Sequence, residues 1–550
     1  MEDGYKPYFK LLLILALVVN LAGIDQRFFT DDPGLYASIS KNLLQHKSFF
    51  DLFTYDQNWL DKPHFPFWMV LLSFKVFGVS VWAYRLPALI FFLISLRYTF
   101  LFSKKYHNEQ IAWLATIILA TSQHIIMSNT DVRAEPYLMA LVIGSIYHIS
   151  RLEEEFNRRD LILGALLTAC AVMTKGIFVI VAIYGALLGQ LFFREKIRSL
   201  IHRKWLLLAV LTLVFTLPEF YALYTQFDMH PEITVFYRKG VSGIKWFLWD
   251  SQFGRFVNNG PITQKKSGDI IFYLHTLLWA FAPWCLLFYY AVFKSIRRIV
   301  LKRQLAEYYT LSGGLLLLIL FSVSRFQLPF YTNTIFPLFA IITAPYCFKP
   351  LQRFGLVLRQ TSLYFYSIVL IGLTFAINYF ARPDGILLFM VDCAMLAGGL
   401  FVILPRIKKP HLRAFFLACI AVLFANFYLN TVFYNVMADH NGQIKAAEYV
   451  NSDEFDGYHL YSVRFENNIF QFYSKRPINY IQLDTFKAFT PPPHSIFYAR
   501  QLTIDILNQQ HIPFKILRAF PNYPQENILP KFVDVNTRES VLDSVYLITK

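Results

Sequence analysis

The sequence predicts a polytopic α-helical membrane protein of about thirteen transmembrane helices, with a small C-terminal α/β or α+β domain outside the membrane. Three observations lead there. First, 56% of the 550 residues are hydrophobic and only 16% are charged, whereas a soluble chain is about half apolar and about a quarter charged. Second, the apolar residues fall in long runs, and alternate loops between them are densely basic. Third, after residue 435 the pattern changes to short strand-like segments.

The apolar runs lie near 9–25, 82–102, 111–128, 136–150, 161–173, 177–193, 205–224, 270–294, 310–324, 328–347, 362–381, 385–405 and 413–434. Several are shorter than the roughly 20 residues a helix needs to cross the hydrocarbon core. Their ends are therefore open, and 161–193 admits another division. The first run has no small-x-small cleavage site before Asp25, so it reads as an uncleaved first span. Lys104 and Lys105, Arg158 and Arg159, Arg194 to Lys204, Arg297 to Arg303, and Arg406 to Lys409 occupy alternate loops. By the positive-inside rule these are cytoplasmic. The N-terminus is then inside and, with an odd number of spans, the C-terminus outside. Orientation thus accounts for most of the formal charge of +16, and no nucleic-acid partner is expected.

The outward loops differ from the inward ones. Two are long, 26–81 and 225–269, and the short ones each carry one basic residue: Arg133, Lys175, Arg325 or Arg382. In the first long loop, 34–46 and 65–77 repeat apolar positions at helical spacing and read as amphipathic helices along the interface. Pro63 and Pro66 suit a helix start. The expected division is a membrane domain at 1–434, with 26–81 as its catalytic loop, and a separate domain at 435–550. In that tail 442–451 reads as a helix, and 458–463, 470–474, 478–483, 495–500, 514–519 and 544–549 as strands. Pro491, Pro492 and Pro493 form a rigid connector. None of the five cysteines has a CxxC partner and none lies in the tail, which argues against a metal cluster or a disulfide framework.

Chemistry-bearing residues concentrate in and after the first long loop. They begin with Thr30-Asp31-Asp32-Pro33-Gly34-Leu35-Tyr36, followed by Asp61-Lys62-Pro63-His64-Phe65-Pro66-Phe67-Trp68 and Arg85-Leu86-Pro87. Further on come Asn129-Thr130-Asp131-Val132-Arg133-Ala134-Glu135, Thr174-Lys175-Gly176, Phe281-Ala282-Pro283-Trp284 and Ser324-Arg325-Phe326-Gln327-Leu328-Pro329-Phe330-Tyr331. These motifs, in this order and layout, resemble the GT-C superfamily of membrane glycosyltransferases, and in particular the lipid A aminoarabinose transferases and the protein O-mannosyltransferase family. The motifs match to about residue 345; beyond that only the layout does.

The resemblance implies the GT-C fold and an inverting transfer of a sugar, hexose or pentose, from a polyprenyl-phosphate donor. The acceptor would be lipid A, another envelope glycan or a protein, at the periplasmic face of a bacterial inner membrane. Aligned on Tyr36, Asp32 takes the place of the family's catalytic aspartate. Pro33 stands where a Glu is usual, so Asp31 is the second candidate. Asp131 matches a second acidic site, which Arg133, Glu135, Tyr36 and Asp61 would complete. Gln252 replaces a histidine that contacts metal in some relatives, so no cofactor is assigned and a divalent cation is left open.

The residues support these roles on physical grounds. Phosphate is a good leaving group, so the reaction needs a base for the acceptor hydroxyl and cations for the departing phosphate. An aspartate is ionised at neutral pH and serves as base when held within hydrogen-bond reach. Lys62, Arg255, Arg325 and Lys175 are the expected phosphate contacts. Plainer readings stand beside these. Asp31 and Asp32 suit a helix N-cap, Lys62 suits snorkelling, and Asp131, Arg133 and Glu135 suit a structural ion network. A transporter or flippase for a lipid-linked anionic substrate is the alternative function. It would place charge near the bilayer midplane and show repeated halves, neither of which the sequence displays.

Overall fold

The computed structural model describes residues 5–265, 268–524 and 527–550. The first four residues, part of the expected cytoplasmic end, lie outside the described residues. Each of the thirteen apolar runs falls on helix. Among the described residues, five helices are long and apolar enough to cross a membrane: Val81–Tyr106, Arg203–Asp228, Arg353–Ala381, Ile386–Arg406 and Pro410–Asp439. A sixth span is the pair Glu109–Ala120 and Gln123–Thr130, bent by 55°. The other apolar helices are shorter or more polar. The last of the five runs five residues past the domain boundary expected at 434.

Helix Glu135–Glu154 is the hub. It is buried along most of its length and packs against Val81–Tyr106, Arg158–Lys175 and Val179–Phe193. A helix that is apolar all round belongs inside a bundle. Close approach elsewhere depends on small residues: a Cβ on Gly313 would come within 2.5 Å of the Ala182 carbonyl oxygen. By contrast, the pair Arg353–Ala381 and Ile386–Arg406 exposes a broad apolar surface, including Phe365, Ile368 and Leu387.

The first long loop forms the two helices expected of it, Asp31–Gln45 and Phe65–Phe77. The C-terminal segment forms a five-stranded sheet in the order 478–481, 459–463, 495–500, 543–549 and 515–522. The first three strands are parallel, with Leu460 opposite Ile478 and Ile496, and the last two join antiparallel, with Phe497 opposite Ile548. Parallel neighbours need crossover connections, here the short helices Asn468–Tyr473 and Leu483–Ala488. The first of these corrects the strand expected at 470–474. Ile469, Phe470, Phe472 and Tyr473 follow helical spacing, and tertiary contact decides the outcome. Lys41, buried in the loop helix, donates to the carbonyls of Gln471 at 3.0 Å, Phe472 at 3.1 Å and Ser474 at 2.6 Å. These carbonyls would otherwise be orphaned at the helix end.

That junction is close. Ser38 donates to the Asn468 carbonyl at 2.7 Å, and the Tyr55 hydroxyl donates to the Asn467 carbonyl at 2.8 Å. Gly34 faces Ile469 so tightly that a Cβ would meet its side chain at 2.6 Å. The first helix of that loop is therefore held between the membrane helices and the C-terminal segment.

Candidate active site

The bend between Gln123–Thr130 and Glu135–Glu154 gathers three charged residues. Asp131 caps the first helix, Glu135 opens the second, and Arg133 lies between them. Arg133 pairs with Asp131 at 3.0 Å and also with Asp32 in the first turn of Asp31–Gln45. Its guanidinium sits 4.4 Å from the Phe330 ring centroid. Thr30 donates to Asp131. Glu135 is fully buried and accepts from Lys175, the last residue of Arg158–Lys175. Lys175 also lies 4.1 Å from the centroid of Tyr331. Gly176 follows with φ of +94°, and a Cβ there would collide with Gln252 at 2.2 Å. Only glycine fits both the backbone and that approach.

A second arm comes from the loop. Asp61 pairs with Lys62 at 3.0 Å and with Arg255. Next to them, His64 is fully buried, with Nδ1 at 2.9 Å from Glu219 and Nε2 at 2.8 Å from the Phe50 carbonyl. This fixes the Lys62-Pro63-His64 segment against helix Arg203–Asp228. Burial pushes the Lys62 ammonium down to about 8, and the Arg255 charge adds to the effect. Burial alone would raise the Asp61 carboxyl, but Arg255 and Lys62 override it and hold it below the usual range. Tyr36 joins the two arms. Burial first, and then the negative charges of Glu135, Asp32 and Asp61, hold its phenol protonated well above its ordinary value.

Lys175 and Arg255 stand beside an apolar cavity lined by Phe178, Phe256, Phe321 and Tyr331, with Gln252 among its walls. Cations beside a greasy cavity make a site shaped for an anionic head with a hydrocarbon tail.

Asp32, Tyr36, Asp61, Lys62, Asp131, Arg133, Glu135, Lys175 and Arg255 are thus brought together. Two predicted residues are not. Asp31 turns away: its carboxylate accepts from Gln443 at 3.0 Å and lies 3.9 Å from Arg500, both in the C-terminal segment. Successive residues of a helix point about 100° apart, so the two neighbouring carboxylates face different sides of the first turn. Arg325 is exposed. Its backbone N–H donates to Phe256 and its carbonyl accepts from Gly268. Gln327 takes the inward place and donates to the backbone of Asp269, Phe321 and Ser322. The N-cap reading also fails to account for Asp31 and Asp32, because Thr30 is the cap residue and both carboxylates bond elsewhere.

The carboxylates do not fit a divalent ion. Asp32, Asp61, Asp131 and Glu135 are each engaged by an Arg or Lys. Among the described residues no three His, Cys, Asp or Glu side chains converge as metal ligands. Sequence reasoning missed Glu219, although an ionisable residue inside an apolar run is itself a signal. It also missed Gln443 and Arg500, for which the sequence holds no signal.

The chain has the GT-C architecture and resembles the lipid A aminoarabinose transferases and protein O-mannosyltransferases. The family model described as dolichyl-phosphate-mannose-protein mannosyltransferase matches residues 61–221. That range contains Asp61, Lys62, Asp131, Arg133, Glu135 and Lys175. The structure superposes on ArnT from Cupriavidus metallidurans bound to undecaprenyl phosphate with a TM-score of 0.74, covering 98% of both chains at 15% identity. Among relatives, an uncharacterised protein of Aquifex aeolicus is 22% identical over 70% of this chain and 73% of its own length. The undecaprenyl phosphate-alpha-4-amino-4-deoxy-L-arabinose arabinosyl transferase of Yersinia pestis is 24% identical over 58% of this chain. The match spans 56% of that enzyme's length.

Proposed function

We propose that the protein is an inverting glycosyltransferase that moves a hexose or pentose from a polyprenyl-phosphate donor to lipid A, another envelope glycan or a protein. It works at the periplasmic face of a bacterial inner membrane, with thirteen spans, the N-terminus in the cytoplasm and residues 435–550 forming a periplasmic domain. The observation that carries this reading is the juxtaposition of Lys62, Lys175 and Arg255 with an apolar cavity on one side and Asp32 on the other.

In the reaction, the acceptor oxygen bonds to the anomeric carbon while the carbon–oxygen bond to phosphate breaks and its electron pair leaves with the phosphate. The acceptor proton passes to Asp32. Arg133 pairs with that carboxylate and orients it. Lys62, Lys175 and Arg255 stabilise the phosphate charge inside a partly dry site, where such contacts are strongest. Asp61, paired with Lys62 and Arg255, and Glu135, paired with Lys175, hold all three cations in place before the donor arrives. Attack opposite the leaving phosphate inverts the anomeric centre.

Mass spectrometry of envelope lipids and glycoproteins with and without the gene tests the reading. A sugar mass missing from one class of molecule is the expected result. Unchanged profiles in all classes contradict it.

A further inference from the structure

Asp31 opens onto a second, separate pocket. Its walls come from the first turn of Asp31–Gln45 and from the C-terminal sheet, and they carry Gln443, Tyr498, Arg500, Asn522 and Asp543. The pocket is made mostly of groups that bond one another: Gln443 donates to Asp31, and Asn522 donates to Asp543 at 2.9 Å. One group is left over. The Tyr498 side chain is fully buried, stacked on Phe470 at 4.4 Å, and its hydroxyl has no hydrogen-bond partner among the described residues. Buried polar groups are nearly always paired, so this hydroxyl, at the wall of a polar pocket, points to a ligand that completes it.

The pocket's chemistry narrows that ligand. Two carboxylates, Asp31 and Asp543, face one guanidinium, Arg500, which already donates to Asn467 at 2.5 Å. The excess of negative charge disfavours phosphate. A spread of carboxylate acceptors, amides, a guanidinium and a phenol instead matches groups that donate and accept at once, as hydroxyls do. The placement is equally specific. Asp31 and Asp32 are neighbours, with Cα atoms about 3.8 Å apart, so a molecule seated beside Asp31 can extend a hydroxyl to Asp32.

We propose that this pocket binds a phosphate-free, hydroxyl-rich sugar ring of the acceptor, and that it aims the acceptor hydroxyl at Asp32. The direction of transfer rests on the glycosyltransferase reading; the binding of sugar does not. Sugar recognition is thereby assigned to the C-terminal segment, while the donor phosphate stays on the membrane side of the same helix.

Saturation-transfer NMR on the full-length protein in detergent tests binding without any need for turnover. The probes are methyl glycosides of glucose, galactose, mannose and glucosamine at millimolar concentration. At least one gives ring-proton saturation, and the signal falls at least fivefold in both Tyr498→Phe and Arg500→Gln. Undecaprenyl phosphate binding, measured on the same samples, reports that the variants are folded. No saturation from any probe, or equal signal in both variants, overturns the site. Two competition arms identify the source: a lipid A-type glycolipid in micelles and a lipid-free core oligosaccharide. Displacement by either supports an acceptor sugar, and displacement by neither overturns it. Preloading with a sugar-bearing polyprenyl phosphate separates donor from acceptor: a retained signal supports the acceptor assignment, and a lost one reassigns the pocket to the donor sugar. If the protein transfers no sugar at all, the NMR result still decides the pocket on its own.

Discussion

Helix Arg158–Lys175 carries basic residues at both ends, and the two ends behave differently. Arg158 and Arg159 are exposed. About 25 Å away, by the helical rise, Lys175 is pressed against Tyr331 and bonded to the buried Glu135. The antiparallel neighbour Glu135–Glu154 repeats the contrast. Its first residue is fully buried, whereas near its other end Glu153 meets Lys196, whose side chain is 61% exposed. A pair with one partner so exposed contributes about 0–1 kcal/mol. Removing one partner of a buried pair costs about 3–5 kcal/mol, so such pairs persist where the charge has work to do. Charge counts alone do not separate the two ends; burial and pairing do.

The contrast can be broken or sharpened experimentally. Asp32→Asn has the largest effect. Loss of a general base lowers sugar transfer about 100- to 10,000-fold, read as product formed from a polyprenyl-phosphate sugar, with membrane insertion unchanged. Arg255→Gln comes next. A lost charge-assisted hydrogen bond, about 1.5–3 kcal/mol, weakens donor affinity about 10- to 100-fold.

Smaller still is the pH dependence of donor binding. Lys62 is protonated below about 8 and neutral above it, so affinity falls as pH rises from 7 to 9, by up to about tenfold. Arginine stays charged across that range, so Lys62→Arg flattens the profile. At the far end, Arg159→Gln changes donor affinity by less than about twofold. An effect as large as that of Arg255→Gln would erase the distinction between the ends.

The sequence made much of this legible, and the limits are physical. Each apolar run falls on helix, because long hydrophobic stretches have few alternatives in a bilayer. The motifs located Asp32, Asp61, Lys62, Asp131, Glu135 and Lys175, because their fixed places beside Pro, Gly and aromatic residues are readable without coordinates. The split between Asp31 and Asp32 was readable in principle from helical direction, but only once the helix start at Asp31 was known. Arg325 does not reach its expected place because backbone bonds to Phe256 and Gly268 set which residue of the loop faces inward. The Asp31 pocket was out of reach. Gln443 and Arg500 lie more than 400 positions from Asp31, and only packing of the C-terminal sheet on the loop helix brings them together.

The most direct test is a structure of the full chain with a polyprenyl-phosphate sugar bound. The phosphate is expected among Lys62, Lys175 and Arg255, with the lipid along the cavity of Phe178 and Phe321 and the anomeric carbon on the Asp32 side. A phosphate seated instead at the Arg158 and Arg159 end, or remote from Asp32, would contradict the account.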